Sequence, residues 1–418
     1  MRKALLMTAA LLLILCLPVW AGADKVIRVT FTGDCTIGST ERTRGMENSL
    51  DAYAMREGYD YFFRNFADMF AADDATVINF EGVLQDSRAN ENQNKVYRFR
   101  GPIEFTNIVT SVSIEAAALA NNHVGDYGAL GLDRTKEALA NAGVSWFRID
   151  RYYLLVKDGI RIAFFAIDSS SLQNNIDTIR STMSYLKRNG QADACVVCYH
   201  GGTEYDPKHN VYQTRTAERL IDSGADLIIM HHPHVVQGIG MYRNRYICYS
   251  LGNFVFGGNS EIRTEMWRGH RPVTSLYAIV VQAEFTFSDD GKYLGQRLLV
   301  YPTFISGSAP HNDYQPRLVT GEDAALVLTD VQFDTAFRLP EFNEETGCVE
   351  LVYLPVGEPI ELPPLATPKP APGDAGPVAT PVPTPTPTPE NTGKPGTLDL
   401  VEQPLMTREP EPLPSGDE

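Results

Sequence analysis

The sequence predicts an α/β fold with a central sheet covered by helices, and two observations carry that expectation. Short apolar runs of strand length alternate with longer stretches of helix length along most of the 418 residues. Chemically capable side chains then gather just past the C-terminal ends of the runs, where open α/β sheets place their sites. A hydrophobic content of 43% allows a sizeable core over most of that length.

In chain order the predicted strands of the central sheet are 26–32, 75–80, 144–147, 160–167, 194–199, 227–230 and 246–250. Helices are expected between them at 61–70, 103–119, 131–142, 176–189 and 214–223. Antiparallel strands are expected to follow at 274–288, 296–303 and 325–333. Composition changes near Pro355: eighteen of the 27 prolines lie at or beyond it, and 381–389 is a threonine–proline repeat. Such a stretch has no apolar stripe to bury, so residues 355–418 are expected to form a Pro/Thr-rich disordered tail after a folded unit at 24–354.

The N-terminus reads as a targeting segment. Arg2 and Lys3 precede the apolar run 4–17, Pro18 ends it, and Ala21-Gly22-Ala23 offers the small residues a signal peptidase reads. Residues 1–23 are therefore expected to be a signal peptide or an uncleaved signal anchor, and the protein to be extracytoplasmic, secreted or membrane-anchored. The formal net charge of −16 argues against a nucleic-acid partner. Six cysteines are too few for a disulfide framework in a chain of this length. Cys195 and Cys198 have redox-pair spacing but fall inside a predicted buried strand, so they read as core residues.

The strand tips hold the chemistry. Gly33-Asp34 closes the first run, and Asn79-Phe80-Glu81-Gly82 closes the second. Ala120-Asn121-Asn122-His123-Val124-Gly125-Asp126 puts two amides, an imidazole and a carboxylate in one loop, more than a helix C-cap needs. His200-Gly201-Gly202-Thr203-Glu204 follows the run at 194–199. Three of the eight histidines then crowd into His231-His232-Pro233-His234. In extended backbone, residues at i and i+2 share a side, so His232 and His234 are expected to face one metal centre and His231 to face away. The resulting ligand inventory is Asp34, Glu81, Asn122, His200, His232 and His234, with His123 beside it. Mixed oxygen and nitrogen donors suit manganese, zinc or iron. Six exceed what one tetrahedral ion needs, which points to one or two divalent ions.

These segments, in this order, resemble the capsule-synthesis CapA family of poly-γ-glutamate biosynthesis, within the calcineurin-like metallophosphatase fold. The resemblance rests on Gly33-Asp34 with Gly38, Asn79-Phe80-Glu81, Asn121-Asn122-His123 with Asp126-Tyr127-Gly128, His200-Gly201, His231-His232-Pro233-His234-Val235-Val236-Gln237 and Gly252-Asn253-Phe254-Val255-Phe256. It implies a four-layer α/β/β/α sandwich and a di-metal centre on Asp34, Glu81, Asn122, His200, His232 and His234. It also implies that His123 acts as the catalytic acid, with Asp126 orienting its ring. Two departures stand out. Cys35 and Thr36 follow Asp34 where phosphatases have Asp-x-His, and Glu81 stands where they usually have aspartate. The implied function is an exported metal-dependent hydrolase or transferase for poly-γ-glutamate or a related capsular polymer. Its partners would be an anionic envelope polymer or its precursor and membrane synthesis or export proteins. A non-catalytic envelope component and an extracellular metallophosphatase are the alternatives.

Overall fold

A computed structural model of the chain describes residues 24–268 and 271–357. The expected targeting segment at 1–23 and the tail from 358 onward lie outside the described residues.

Two mixed sheets organise the chain. In the first, the spatial order from one edge is Arg317–Leu318, Tyr293–Phe304, Tyr277–Phe287, Lys25–Thr36, Ala75–Phe80, Ala116–Ala118 and Ser145–Phe147. The last four run parallel, and the two long strands at 277 and 293 add antiparallel. The short strand Asn253–Phe256 pairs parallel with the tip of Lys25–Thr36. The second sheet runs Ile239–Tyr242, Arg245–Cys248, Leu227–His231, Ala194–His200, Ile160–Asp168, Tyr153–Lys157. Its four inner strands are parallel and its two outer ones antiparallel.

Alternation within each strand decides what it packs against. Ile27, Val29, Phe31 and Val77 of the first sheet join Ile162, Phe164, Val196 and Ile229 of the second in one buried cluster. On its other side the first sheet turns Ile78 and Phe80 toward Phe62, Phe63, Phe66 and Phe70, a phenylalanine-rich cap. The second sheet turns Phe165, Val197 and Ile228 toward Ile176, Ile179 and Met183 of helix Leu172–Arg188 and Leu220 of helix Val211–Ile221. Cys195 and Cys198 lie in different clusters, on opposite faces of their strand, and both are free. Their redox spacing therefore has no spatial counterpart.

Three expected elements are corrected. The stretch 61–70 is not one helix but the end of a 3₁₀ turn Tyr59–Tyr61, a second turn Arg64–Phe66 and the start of the short helix Ala67–Ala71. The stretch 103–119 is not one helix: it holds a 3₁₀ turn Ile103–Phe105, one helical turn Thr106–Val109 and then strand Ala116–Ala118. Alanines read as helix formers, but all three are buried between flanking strands, where a small side chain fits. The segment 325–333 is not a strand but the second half of helix Gly321–Phe333. It buries Ala324, Val327 and Val331, an i, i+3, i+7 stripe. Among the described residues no helix is long and apolar enough to cross a membrane. The chain is still paired to the first sheet at Leu354–Pro355, opposite Gly295 and Gln296.

Candidate metal centre

Register brings the strand tips of both sheets to one place. Asp34 lies opposite Asn79 on one side and Asn253 on the other. In the second sheet Asp168, His200 and His231 stand side by side. Gly33 makes the close approach feasible: a Cβ there would stand 2.5 Å from the carbonyl oxygens of both Gly252 and Asn253.

Asp34 is fully buried and shared. Its Oδ1 accepts from Asn79 Nδ2 at 2.8 Å and lies 3.2 Å from His231 Nδ1, while Oδ2 lies 3.3 Å from His234 Nδ1. Burial alone would raise its pKa, but His231 and His234 outweigh burial and hold the carboxyl well below its usual range.

Glu81 is equally buried, and among the described residues neither carboxylate oxygen has a hydrogen-bond partner. Three imidazole nitrogens surround Oε1 beyond hydrogen-bond reach: His200 Nε2 at 3.7 Å, His123 Nε2 at 3.8 Å and His234 Nε2 at 4.0 Å. Burial, with the Asp34 charge second, pushes its pKa well above the usual carboxylate value. Two donors bound to one ion at about 2.0–2.2 Å stand roughly 3–4 Å apart, so this spacing is that of ligands around a cation.

The second set of donors is tighter. His200 Nε2 is 2.8 Å from Asn122 Oδ1 and 3.2 Å from His232 Nδ1. Two imidazole lone pairs cannot face each other at that distance without a proton or cation between them. Burial lowers the pKa of both rings, His200 well below its normal value and His232 to about 4, with His234 adding to the effect on His232. Neutral rings that resist protonation are competent metal ligands. His234 differs: burial lowers it, but Glu81 and Asp34 outweigh burial and raise it to about 10. Its Nδ1 lies 2.9 Å from Asn253 Oδ1, which fixes the ring.

His123 sits on the rim of this group, 6% exposed. Its Nδ1 is 2.7 Å from Asp126 Oδ2, leaving Nε2 to face the centre. Asp126 also accepts from Phe99 N at 2.7 Å and from Lys95 Nζ. Burial lowers the pKa of His123 despite the Asp126 contact.

The eight sequence-expected residues thus converge, but not by the expected backbone. His232 and His234 have φ of 100° and 58°, so the segment is a positive-φ turn rather than extended strand. His231, expected to face away, ends strand Leu227–His231 with Nδ1 against Asp34. Sequence reasoning also passed over Glu204, whose carboxylate groups with His232 and His234, and Asn79, whose amide lies between Asp34 and His200 Nδ1. Both stood inside quoted strand-tip segments, which was the available signal. Two sets, Asp34–Glu81–His234 and Glu204–His232–His234, could each hold a divalent ion.

Fold and site together define an α/β protein with mixed sheets and a carboxylate–imidazole cluster at the strand tips. The signature of the bacterial capsule synthesis protein PGA_cap family matches residues 28–258, and the chain belongs to that family. The capsule biosynthesis protein CapA of Bacillus anthracis is 30% identical over 263 residues, 57% of this chain and 62% of that protein. The PGA biosynthesis protein CapA of Bacillus subtilis (strain 168) is 28% identical over 255 residues, 56% of this chain and 64% of that one. The matched region spans less than two thirds of each relative. A crystal structure of a hypothetical protein from Thermus thermophilus aligns with a TM-score of 0.40 at 14% identity, covering 66% of this chain and 99% of that one.

Proposed function

We propose that this chain is an exported metal-dependent hydrolase or transferase acting on an anionic envelope polymer or its precursor, with poly-γ-glutamate the first substrate to test. Residues 24–354 would be its catalytic unit, a four-layer α/β/β/α sandwich of the metallophosphatase type. Residues 1–23 would direct export, and the Pro/Thr-rich stretch after the strand Leu354–Pro355 would be a tail. The observation that carries the reading is Glu81, a fully buried carboxylate with no donor among the described residues and three imidazole nitrogens at 3.7–4.0 Å. Leaving a buried charge uncompensated is costly, and a cation is the partner this donor set fits. The names of the two Bacillus relatives, for capsule and PGA biosynthesis, support the polymer class.

One or two divalent ions, manganese, zinc or iron by donor type, would be held by Asp34, Glu81, Asn122, His200, His232 and His234. Such ions supply Lewis-acid stabilisation of charge developing on a substrate oxygen. The chain supplies the rest. Asn79 and Asn253 fix the orientation of Asp34 and His234. The Asp126 carboxylate against His123 Nδ1 orients the ring so that Nε2 faces the centre, where its imidazolium form would donate a proton to the leaving atom. The Phe99 ring, 4.4 Å from that imidazole, shields it from water. The test is hydrolysis of poly-γ-glutamate and of small phosphoesters by metal-loaded and chelator-treated protein. Metal-dependent turnover of either supports the reading. Bound metal with no turnover of either would make the chain a non-catalytic envelope component.

A further inference from the structure

We propose that the metal centre opens into an anion-binding subsite in which Arg263 and Arg42 hold a charged group of the substrate beside the reacting bond. This rests on the reading above for what happens at the metal centre, but the subsite itself is argued from the cleft. The small pocket over the centre is lined by Tyr97, Phe99, His123, Tyr205, His234 and Arg263, among others. It shares Tyr97, Asn259 and Arg263 with a cleft of about 540 Å³ that continues past it. That volume suits a segment of several small units rather than one.

The charges in this cleft are not all equivalent. Arg98 is committed to Glu91 at 2.8 Å, and Glu41 to Arg100 at 2.6 Å. Glu261, the other acid of the larger cleft, lies 4.0 Å from His311, and Glu204, the acid of the small pocket, groups with His232 and His234. Arg42 and Arg263 have no ion pair and no side-chain hydrogen bond among the described residues, in a chain of formal charge −16. Solvated arginines are common, so exposure alone decides nothing. Arg263 is distinguished by its support. Its backbone carbonyl accepts from Ser275 N at 3.0 Å and Thr274 Oγ1 at 3.1 Å, and its guanidinium lies 5.1 Å from the Tyr205 ring centroid. Tyr205 is itself tied to the histidine turn, its N–H donating to Pro233 O at 2.7 Å. A guanidinium held by a ring rather than a carboxylate keeps its fork of donors free for a planar oxyanion. Val96 and Tyr97, 84% and 52% exposed on the same wall, offer apolar surface to a short aliphatic arm. The ligand class is therefore a flexible chain bearing carboxylate or phosphate groups.

The experiment measures binding of a short fluorescein-labelled oligoglutamate by anisotropy, with oligoglutamine and inorganic tripolyphosphate as competitors. Full-length protein is used with and without chelator treatment, and melting temperature is checked for each variant. Arg263→Gln is expected to raise Kd at least about fivefold, Arg42→Gln by less, and the double change by more. Oligoglutamine should not compete. Displacement by tripolyphosphate at lower concentration than by unlabelled oligoglutamate would assign the group to phosphate, the reverse to carboxylate. Arg219→Gln, which removes one exposed charge from helix Val211–Ile221, should leave Kd unchanged. Wild-type Kd in the double variant, or equal loss in Arg219→Gln, would overturn the subsite. Arg263-dependent binding that survives chelation, in a wild-type protein found to contain no metal, would sink the metal reading and leave the subsite standing.

Discussion

Asp226 and Glu81 are both buried carboxylates at the ends of parallel strands, and the chain treats them differently. Asp226 precedes strand Leu227–His231, at the end away from the centre. Its oxygens accept from Lys187 Nζ at 2.6 Å, Cys195 N at 2.9 Å and Arg245 Nε at 3.1 Å. Glu81 follows strand Ala75–Phe80, at the centre, and accepts from no donor among the described residues. A carboxylate that serves the fold is given cations by the fold. One left bare among imidazoles is shaped for a cation that the sequence does not supply. The difference between the two ends is the main physical argument for a metal site here.

The sharpest way to divide the centre is His123→Ala. Metal content should stay at the wild-type level, while turnover falls by about 10²–10⁴-fold, the usual contribution of a general acid. Joint loss of metal would move His123 into the ligand set.

Next comes a pair of changes that should have opposite signs. Asp226→Asn should destabilise the protein by about 2–3 kcal/mol, below the 3–5 of a fully buried pair because Lys187 reaches solvent. Glu81→Gln should raise the melting temperature of chelator-treated protein. The sign follows from Glu81's raised folded-state pKa: the folded chain keeps a proton that the unfolded chain releases above about 4.5. Metal-free wild type therefore loses stability as pH rises from there through the folded value, and Glu81→Gln should not. Denaturant melts across pH, with chelator present, read both effects. Destabilisation by both changes would erase the contrast.

His232→Ala and His234→Ala should each lower bound metal and cut any hydrolytic activity at least about 10-fold, the size of even supporting-residue losses at metal sites. His231→Ala, which removes a ring that touches only Asp34 among the acids of the described residues, should do less. Metal analysis of the three variants orders them. The smallest effect is expected at Asp73, near the start of strand Ala75–Phe80. Burial raises its pKa to about 6, and Oδ1 has no partner among the described residues. Its penalty to the fold should appear as pH rises from about 4 to 6. Asp73→Asn should therefore raise the melting temperature slightly at pH 7 and not at pH 4.

Much of this was legible in the sequence because strand tips are local. A run such as 194–199 announces its own end, and His200 must then stand at the tip. Pairing register, which is not local, sets Asp34 beside Asn79 and Asn253. The alanines at 116–118 were misread because their strand character comes from neighbours on both sides. The histidine turn was misread for the opposite reason. Alternation assumes extended backbone, and the positive φ at His232 and His234 breaks it locally. Such backbone costs about 1–3 kcal/mol and persists where surrounding structure imposes it, often at functional sites. Glu204 was missed because a carboxylate in a glycine-rich loop has no periodicity to betray which way it points.

The central claim is that Glu81 is completed by a cation. It is tested most directly by metal analysis of purified wild type and Glu81→Gln, after both are equilibrated with manganese, zinc and iron and then desalted. Wild type should retain one or two divalent ions per chain, and Glu81→Gln should retain substantially less while keeping its fold by circular dichroism. A wild-type protein that retains none, or a Glu81→Gln variant that retains as much as wild type, would contradict the claim.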